Sequence, residues 1–503
     1  MKTIPELVEQ ATSVSTPLIA IATADPQATQ DAIAKRLENN FGLIAWDIAR
    51  GIIALNEKGK KAVAALGKDP TELTTPGEAL IVAGKLPADT ILFFHMAHQY
   101  LDNEQVKQAT WNLRDLNKAN GRCLVMMGPS FTLPAELAQD VLLLDEPLPT
   151  ESELAEIVIT QYENARQTNN PPMTKETFPD PEGKDLERIV DACRGLAAYP
   201  SEQAVAMALR KTGIDLDDLW IRKKTFINQI RALRVEESSL TFSDVGGLTV
   251  MKKYFGSIAQ GPLSPIVWLW IDEIEKLFAG AGSAGDTSGV SQDQLATFLT
   301  LFQLYGWTGT LAVGHPGTGK SLIAKTAAKT YSGVCVAFDT GAAKGSLVGE
   351  SEKYIRAAFK AVFAIGGARV HCIATCNGLD SLKPEMRRRF GTPWVFDLPT
   401  KEERDTIWPI SLSRFKLKDE AQRRPEDEGW TGAEINKCCE LAYMLQKPLS
   451  EAACYVIPIV KSDPEAIKRL RDQAAGRWLS ASYPGPYRLE TEKAPTGGRK
   501  IQL

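Results

Sequence analysis

The segment "GHPGTGKS", Gly314 to Ser321, decides how the chain is read. It fits G-x-x-x-x-G-K-[ST], in which glycines let backbone N–H groups turn inward around phosphate oxygens that side chains would obstruct. Gly314, Gly317 and Gly319 supply that freedom, Lys320 a charge for the outer phosphates, and Ser321 a hydroxyl for Mg²⁺. The flanks agree. "TLAVG" reads as a short buried strand entering the loop, and "SLIAKTAAKTY" as a helix whose positive end faces the anion. Pro316, Thr318 and Leu322 belong to the same nucleotide-binding stretch.

Such a loop needs an acidic strand beside it, and "VWLWIDEIE", Val267 to Glu275, has that form. Two acids ending a buried strand are costly unless a cation compensates. Asp272 is therefore assigned to the Mg²⁺ shell, and Glu273 to orienting and deprotonating the attacking water, with ATP as the nucleotide. Trp268 and Trp270, alternating with Leu269 and Ile271, read as core. In ordinary ATPases of this kind the glycine loop precedes the acidic strand. Here the acidic strand comes first.

A chain of 503 residues is too long for one ordinary core, and 44% hydrophobic with 24% charged residues suits a soluble globular protein. Net charge is -4, which gives no overall sign of nucleic-acid binding. No apolar run reaches membrane-spanning length, and "MKTIPELVEQATS" lacks a signal-peptide core, so no membrane partner is expected. Eight scattered cysteines form no zinc spacing; reduced thiols in a cytoplasmic protein are expected. His95 and His98, in "FFHMAH", read as structural rather than metal-binding.

The first third alternates strands and helices: "PLIAIATA", "TILFFHM" and "RCLVMMGPS" are strands, separated by helices such as "EQVKQATWNLRDLNKANG". Continuous apolar strands of this kind argue for a parallel sheet covered on both faces. A polar, proline-rich connector, Gln167 to Lys184, leads to a helical stretch. Strand–helix alternation resumes after "FSDVGG", runs to Thr400, and gives way to helices and then to an extended tail from "SASYPGPYRLE" onward. The pattern occurs twice, which suggests duplication.

The second half resembles the AAA branch of the AAA+ ATPases. "FSDVGGL" is similar to that family's opening segment, which implies that Val245 and Gly246 line an adenine pocket. "KGSLVGESEKYIRAAFKAVF" is similar to the pore-loop unit, with Leu347 and Val348 at the central position. "IATCN" resembles sensor 1, which implies that Asn377 positions the lytic water. "PEMRRRFG" resembles the arginine-finger segment, leaving open which of Arg387, Arg388 and Arg389 reaches a neighbouring protomer. "GWTGAEINKCCELA" resembles the lid helix, with Gly432 and Ala433 against the nucleotide.

The family's parallel sheet has spatial order 5-1-4-3-2. The displaced acidic strand and its helix form one complete unit, so moving it (a permuted Walker B before Walker A) changes two crossovers without moving a strand. The first half resembles the N-terminal half of a narrower AAA family of plastids and cyanobacteria, in which a degenerate ATPase-like domain precedes the active one. There "PLIAIATADPQA" lacks the glycines and lysine, and His95-Met96 replaces Asp-Glu.

The expected fold is therefore α/β, with two tandem AAA-like modules, each a parallel P-loop-type sheet with a small helical lid. The expected divisions are 1–165 (degenerate α/β), 166–238 (helical, lid-like), 239–402 (permuted ATPase domain), 403–480 (lid) and 481–503 (tail). Three functions stay open. The first is a ring- or spiral-forming homo-oligomer, hexameric by family habit, that uses ATP to remodel or thread a macromolecule, protein rather than nucleic acid. The second is a single-strand nucleic-acid ATPase, resting on Lys344, Lys353, Arg356, Tyr354 and "IKRLRDQAAGRW". The third is a regulatory assembly controlled by ATP state.

Overall fold

The computed structural model describes residues 2–67, 69–168, 173–277, 290–331, 333–343, 350–378, 384–417 and 424–489. The chain divides into two units, Met1–Ile157 with Ala197–Gln203, and Val158–Leu196 with Ala204–Leu503. Among the described residues no helix is long and apolar enough to cross a membrane.

The first unit is built on a six-stranded sheet. Its strands are β1 (Leu18–Ala22), β2 (Gly42–Asp47), β3 (Gly51–Ala54), β4 (Thr90–Phe94), β5 (Cys123–Gly128) and β6 (Leu142–Asp145). Their order is β3-β2-β4-β5-β1-β6, and only β3 runs antiparallel to its neighbour. Alternate residues face two separate cores: Leu92, Phe94, Leu124 and Met126 one, Ile91, Phe93, Val125 and Met127 the other. That two-sided burial is why the strands read as unbroken apolar runs. The β2–β3 hairpin was not anticipated. Its turn is made by Asp47, whose Oδ1 accepts from the Ala49 and Arg50 amides, and by Gly51 at φ 69°.

In the second unit a short hairpin, β7 (Leu209–Arg210) and β8 (Gly213–Ile214), precedes a seven-stranded sheet. The sheet comprises β9 (Leu233–Val235), β10 (Val267–Ile271), β11 (Thr308–Gly314), β12 (Val334–Phe338), β13 (Val370–Cys376), β14 (Trp394–Phe396) and β15 (Leu479–Ser480). The order is β15-β14-β11-β13-β10-β12-β9. Its five central strands are parallel and stand in the neighbour order anticipated from the sequence, with β10 seated between β13 and β12 although it precedes β11 in the chain. The corresponding slots of the first sheet are filled by β2-β4-β5-β1-β6, with β4 where β10 lies.

One backbone corner is common to both sheets. After β4, Met96 takes φ 53° and leads into the turn Ala97–Gln99; after β10, Glu273 takes φ 47° and leads into Ile274–Lys276. Left-handed backbone is uncommon at residues with a Cβ.

Three expected boundaries shift. Leu233–Val235 pairs antiparallel with β12, so the second sheet starts before residue 239, and residues 158–196 also group with the second unit. Leu470, Ala474 and Trp478, expected in the lid, join the core beneath the sheet beside Leu311 and Val395. The expected tail is packed as far as it is described: Ala481 donates to the Val395 carbonyl, Ala481 and Tyr487 are buried, and Tyr487 Oη donates to Asp397. Residues 490–503 lie outside the described residues.

Candidate functional site

The glycine loop is shaped by close contacts as well as by backbone angles. Gly314 ends β11 so near β14 that a Cβ there would lie 2.2 Å from the Phe396 carbonyl oxygen. Gly317 and Gly319 take φ 84° and 96°, conformations that disfavour any other residue. Gly319 caps the helix Lys320–Thr330, which Ile323, Ala324 and Ala327 bury against the sheet. The helix end and its unpaired amides thereby point at the loop, which suits an anion.

Lys320 is buried, and its Nζ donates to the Gly314 and His315 carbonyls (2.5 and 2.8 Å) and to Asn377 Oδ1 (3.2 Å). Burial pushes its pKa down to about 8, against the pull of Asp272.

Strand register assembles the acidic corner. Ile271 stands opposite Ala374, which sets Thr375 beside Asp272, and Val313 opposite Cys376 sets Asn377 beside Gly314. The Thr375 hydroxyl donates to Asp272 Oδ1 (2.6 Å) and accepts from the Glu273 amide (2.9 Å). Ser321 Oγ donates to the same Asp272 oxygen at 2.8 Å. Glu273 Oε1 accepts from Asn377 Nδ2 at 3.1 Å, and its other oxygen pairs with Lys276. The Lys276 hydrogen bond, with help from Asn377 and Lys320, holds the Glu273 carboxyl below its ordinary range. Asn377 thus joins the buried lysine to the second acid, and its own amide donates to Glu275 Oε1 at 3.0 Å.

A cavity of about 440 Å³ runs from this corner. Asp272, Glu273, Asn377 and the loop from Pro316 to Leu322 line its polar end. Val245, Gly246, Ile407, Gly432 and Ala433 line the other. Ala433 N donates to the Gly317 carbonyl at 3.2 Å, and a Cβ on Gly317 would lie 2.8 Å from Ala433 Cβ, so the helix Gly432–Leu445 rests directly on the loop. The volume and the polar-to-apolar gradient suit a nucleotide.

Most residues singled out from the sequence therefore meet around one cavity. Gly314 contributes a carbonyl to Lys320 rather than a cavity wall. Arg387, Arg388 and Arg389 sit on the helix Pro384–Arg389 and do not line it; Arg389 Nη2 donates to Gln303 Oε1 at 2.8 Å. Leu347 and Val348, with Lys344 and the segment Ala279 to Gly289, lie outside the described residues. Of the residues noted for nucleic acid, Tyr354 and Arg356 are engaged internally: Arg231 lies 3.9 Å above the Tyr354 ring and donates to its hydroxyl, and Arg356 pairs with Glu352.

Thr375, Glu275, Lys276 and Thr431 were not picked out. The Thr431 signal was legible, since T-x-x-E closes a capping box with Glu434 at the start of the lid helix. Thr375 lies two residues before Asn377 on the same strand face, a period-2 cue. Among the described residues no His, Cys, Asp and Glu cluster could hold a metal by itself, and His95 Nε2 bonds Gln30 Oε1 at 2.7 Å.

Comparison with known proteins finds similarity in both halves of the chain. Residues 6–146 match the SpoVK-like AAA ATPase N-terminal domain, and residues 310–366 match the ATPase family associated with various cellular activities (AAA). Each unit therefore contains a stretch similar to AAA proteins. An uncharacterized AAA domain-containing protein, ycf46, of Guillardia theta is 22% identical, with 93% of this chain and 94% of that protein covered. The proteasome-activating nucleotidase of Saccharolobus islandicus is 23% identical over 55% of this chain and 77% of its own length. The crystal structure of the FIGL-1 AAA domain matches with 17% identity, covering 50% of this chain and 94% of that one, at a TM-score of 0.30.

Proposed function

We propose that the second AAA-like module hydrolyses ATP with Mg²⁺ and that the protein works as a homo-oligomer that remodels a macromolecule, protein rather than nucleic acid. The observation that carries the reading is the linked set Ser321–Asp272–Thr375 and Lys320–Asn377–Glu273 around the nucleotide-sized cavity.

The donor set fits a hard cation, because the Ser321 hydroxyl and the Asp272 carboxylate already meet at 2.8 Å. When bound, Mg²⁺ would neutralise charge on the outer phosphates. The chain's own groups do the rest. Gly317 and Gly319 open the loop so that backbone amides face the phosphates. Lys320 exchanges its carbonyl partners for phosphate oxygens, which return to a buried cation the compensation it lacks. Glu273 accepts the proton of the attacking water while Asn377 fixes the carboxylate's direction. Arg387, Arg388 and Arg389, outside this protomer's cavity, are offered as the source of an arginine finger for a neighbouring protomer, and Leu347-Val348 as the pore contact.

Two variants test the reading. Lys320→Ala should lose ATP binding. Glu273→Gln should bind ATP with near-normal affinity while turnover falls by about a thousandfold or more. Undiminished hydrolysis by Glu273→Gln would remove Glu273 from the base role. Proteins retained by the ATP-loaded Glu273→Gln form support remodelling of protein; retained oligonucleotides count against it.

A further inference from the structure

Each large sheet has two edges, and three of the four are closed. Beside β3 lies the turn Pro70–Glu72, so near that a Cβ on Gly51 would sit 2.3 Å from the Pro70 carbonyl oxygen. On β9 the Leu233 amide donates to the Ile230 carbonyl and the Val235 amide to Asn228 Oδ1. On β15 the returning segment closes the edge: Ser480 N donates to the Gly485 carbonyl, and Tyr487 N to the Trp478 carbonyl. The edge at β6 is different, because among the described residues no strand pairs with its outer side.

Bare edges recruit other strands, so proteins ordinarily shield or charge them. β6 presents leucine instead. Leu142 and Leu143 are 39% and 49% exposed, on opposite faces of the sheet beside Ile19 and Ala20 of β1. The Glu146 amide donates inward to the Ala22 carbonyl; counting back by two, Leu144 and Leu142 turn their backbone toward β1 and Leu143 turns outward. Leu143 therefore offers an amide, a carbonyl and an apolar side chain to a neighbour. In the second sheet the same slot, outside β14, is filled by β15, a short apolar segment preceded by Arg477.

Charge decides what kind of segment fits. From Cys123 to Ala165 the chain holds no Lys, Arg or His but eight Asp or Glu, and Asp145 and Glu146 close the strand itself. Arg114, on the helix Glu104–Ala119, pairs with Asp140 at 3.0 Å. A second copy of β6 would bring the same acids against these, whereas an apolar run flanked by Lys or Arg meets opposite charge.

We propose that β6 is a docking edge for an extended segment of a partner protein, a short apolar run flanked by Lys or Arg, which joins the first sheet as an added strand. This role is independent of the nucleotide site in the second unit.

The test titrates a fluorescein-labelled peptide, Lys-Arg-Val-Ile-Val-Arg-Lys, into the full-length protein and follows its anisotropy. Binding should saturate, and should weaken by about tenfold or more when the three central amides are N-methylated, which removes strand donors and leaves the charge unchanged. Leu143→Pro deletes an outward donor without touching the bonds to β1. Leu143→Thr trims the apolar contact at a half-exposed position and keeps the backbone intact. Each should weaken the peptide by about fivefold or more, with an unfolding midpoint close to wild type; if the proline variant does not fold, the threonine variant carries the test. Wild-type affinity for the N-methylated peptide, or for Leu143→Thr, shows attraction by charge alone and overturns the proposal. So does the absence of binding at millimolar peptide. Self-association of the free protein that Leu143→Thr abolishes also overturns it, because a second copy then fills the edge.

Discussion

At Thr375 one hydroxyl serves both acids, donating to Asp272 and accepting from the Glu273 amide. Thr375→Val leaves a carboxylate oxygen and an amide short of a partner, at a cost of about 1–3 kcal/mol. Turnover should fall by about tenfold or more, because the carboxylates lose their fixed positions, while ATP affinity changes little. Steady-state kinetics beside a direct binding titration separates the two. His371 makes a different prediction. Buried between Thr308 and Thr310, its ring bonds both hydroxyls at 2.9 Å, and burial pushes its pKa from 6.5 down to about 4. Below pH 6.5 the unfolded chain takes up a proton that the folded chain refuses. The contribution is therefore intact above that pH and is lost as pH falls toward 4, by about 2 kcal/mol between pH 7 and pH 5. Urea unfolding at those two pH values should show the loss, and His371→Gln should diminish it. Asp272, Glu273, Lys320 and Ser321 were legible in the sequence because charge at a strand end or in a glycine loop is costly without a ligand. Thr375 offered only its period-2 spacing from Asn377 and Lys276 nothing, since their roles come from register and from a turn beside the acid.

The strand–helix units themselves were readable from apolar runs and glycine punctuation, and so was the slot that β10 occupies. The closing segment was not. "SASYPGPYRLE" is polar and proline-rich, so its local pattern is that of a loop, and only tertiary partners fix it. Arg471 bonds Asp397 at 3.0 Å, Tyr487 bonds the same carboxylate, and β15 extends the sheet beside β14. Asp397 also lines the nucleotide cavity, so this element ties the end of the described chain to the site. Trp478→Ala should destabilise the second unit by about 3–5 kcal/mol, read as a lower denaturant midpoint, because a buried indole leaves a large void. If the midpoint stays unchanged, the segment is only loosely held.

Across the whole chain, two sheets share one slot order and one left-handed corner, yet only the second combines that corner with acids, a lysine and a glycine loop. Titration of the Glu273→Gln protein with ATP should therefore give one site per chain; two sites would show that the first unit binds as well. Sedimentation with saturating ATP should show assembly beyond the monomer, which the proposed arginine finger requires. The chain order has its own cost during synthesis. In the first unit β4 pairs with β5, which follows after a single helix, Ile91 lying opposite Cys123. In the second, Asp272 and Thr375 are 103 residues apart. "VWLWI", five buried apolar residues in the folded chain, thus leaves the ribosome with both edges bare and must wait for β12 and β13 to be translated. That interval is when a nascent-chain chaperone should find its binding strip.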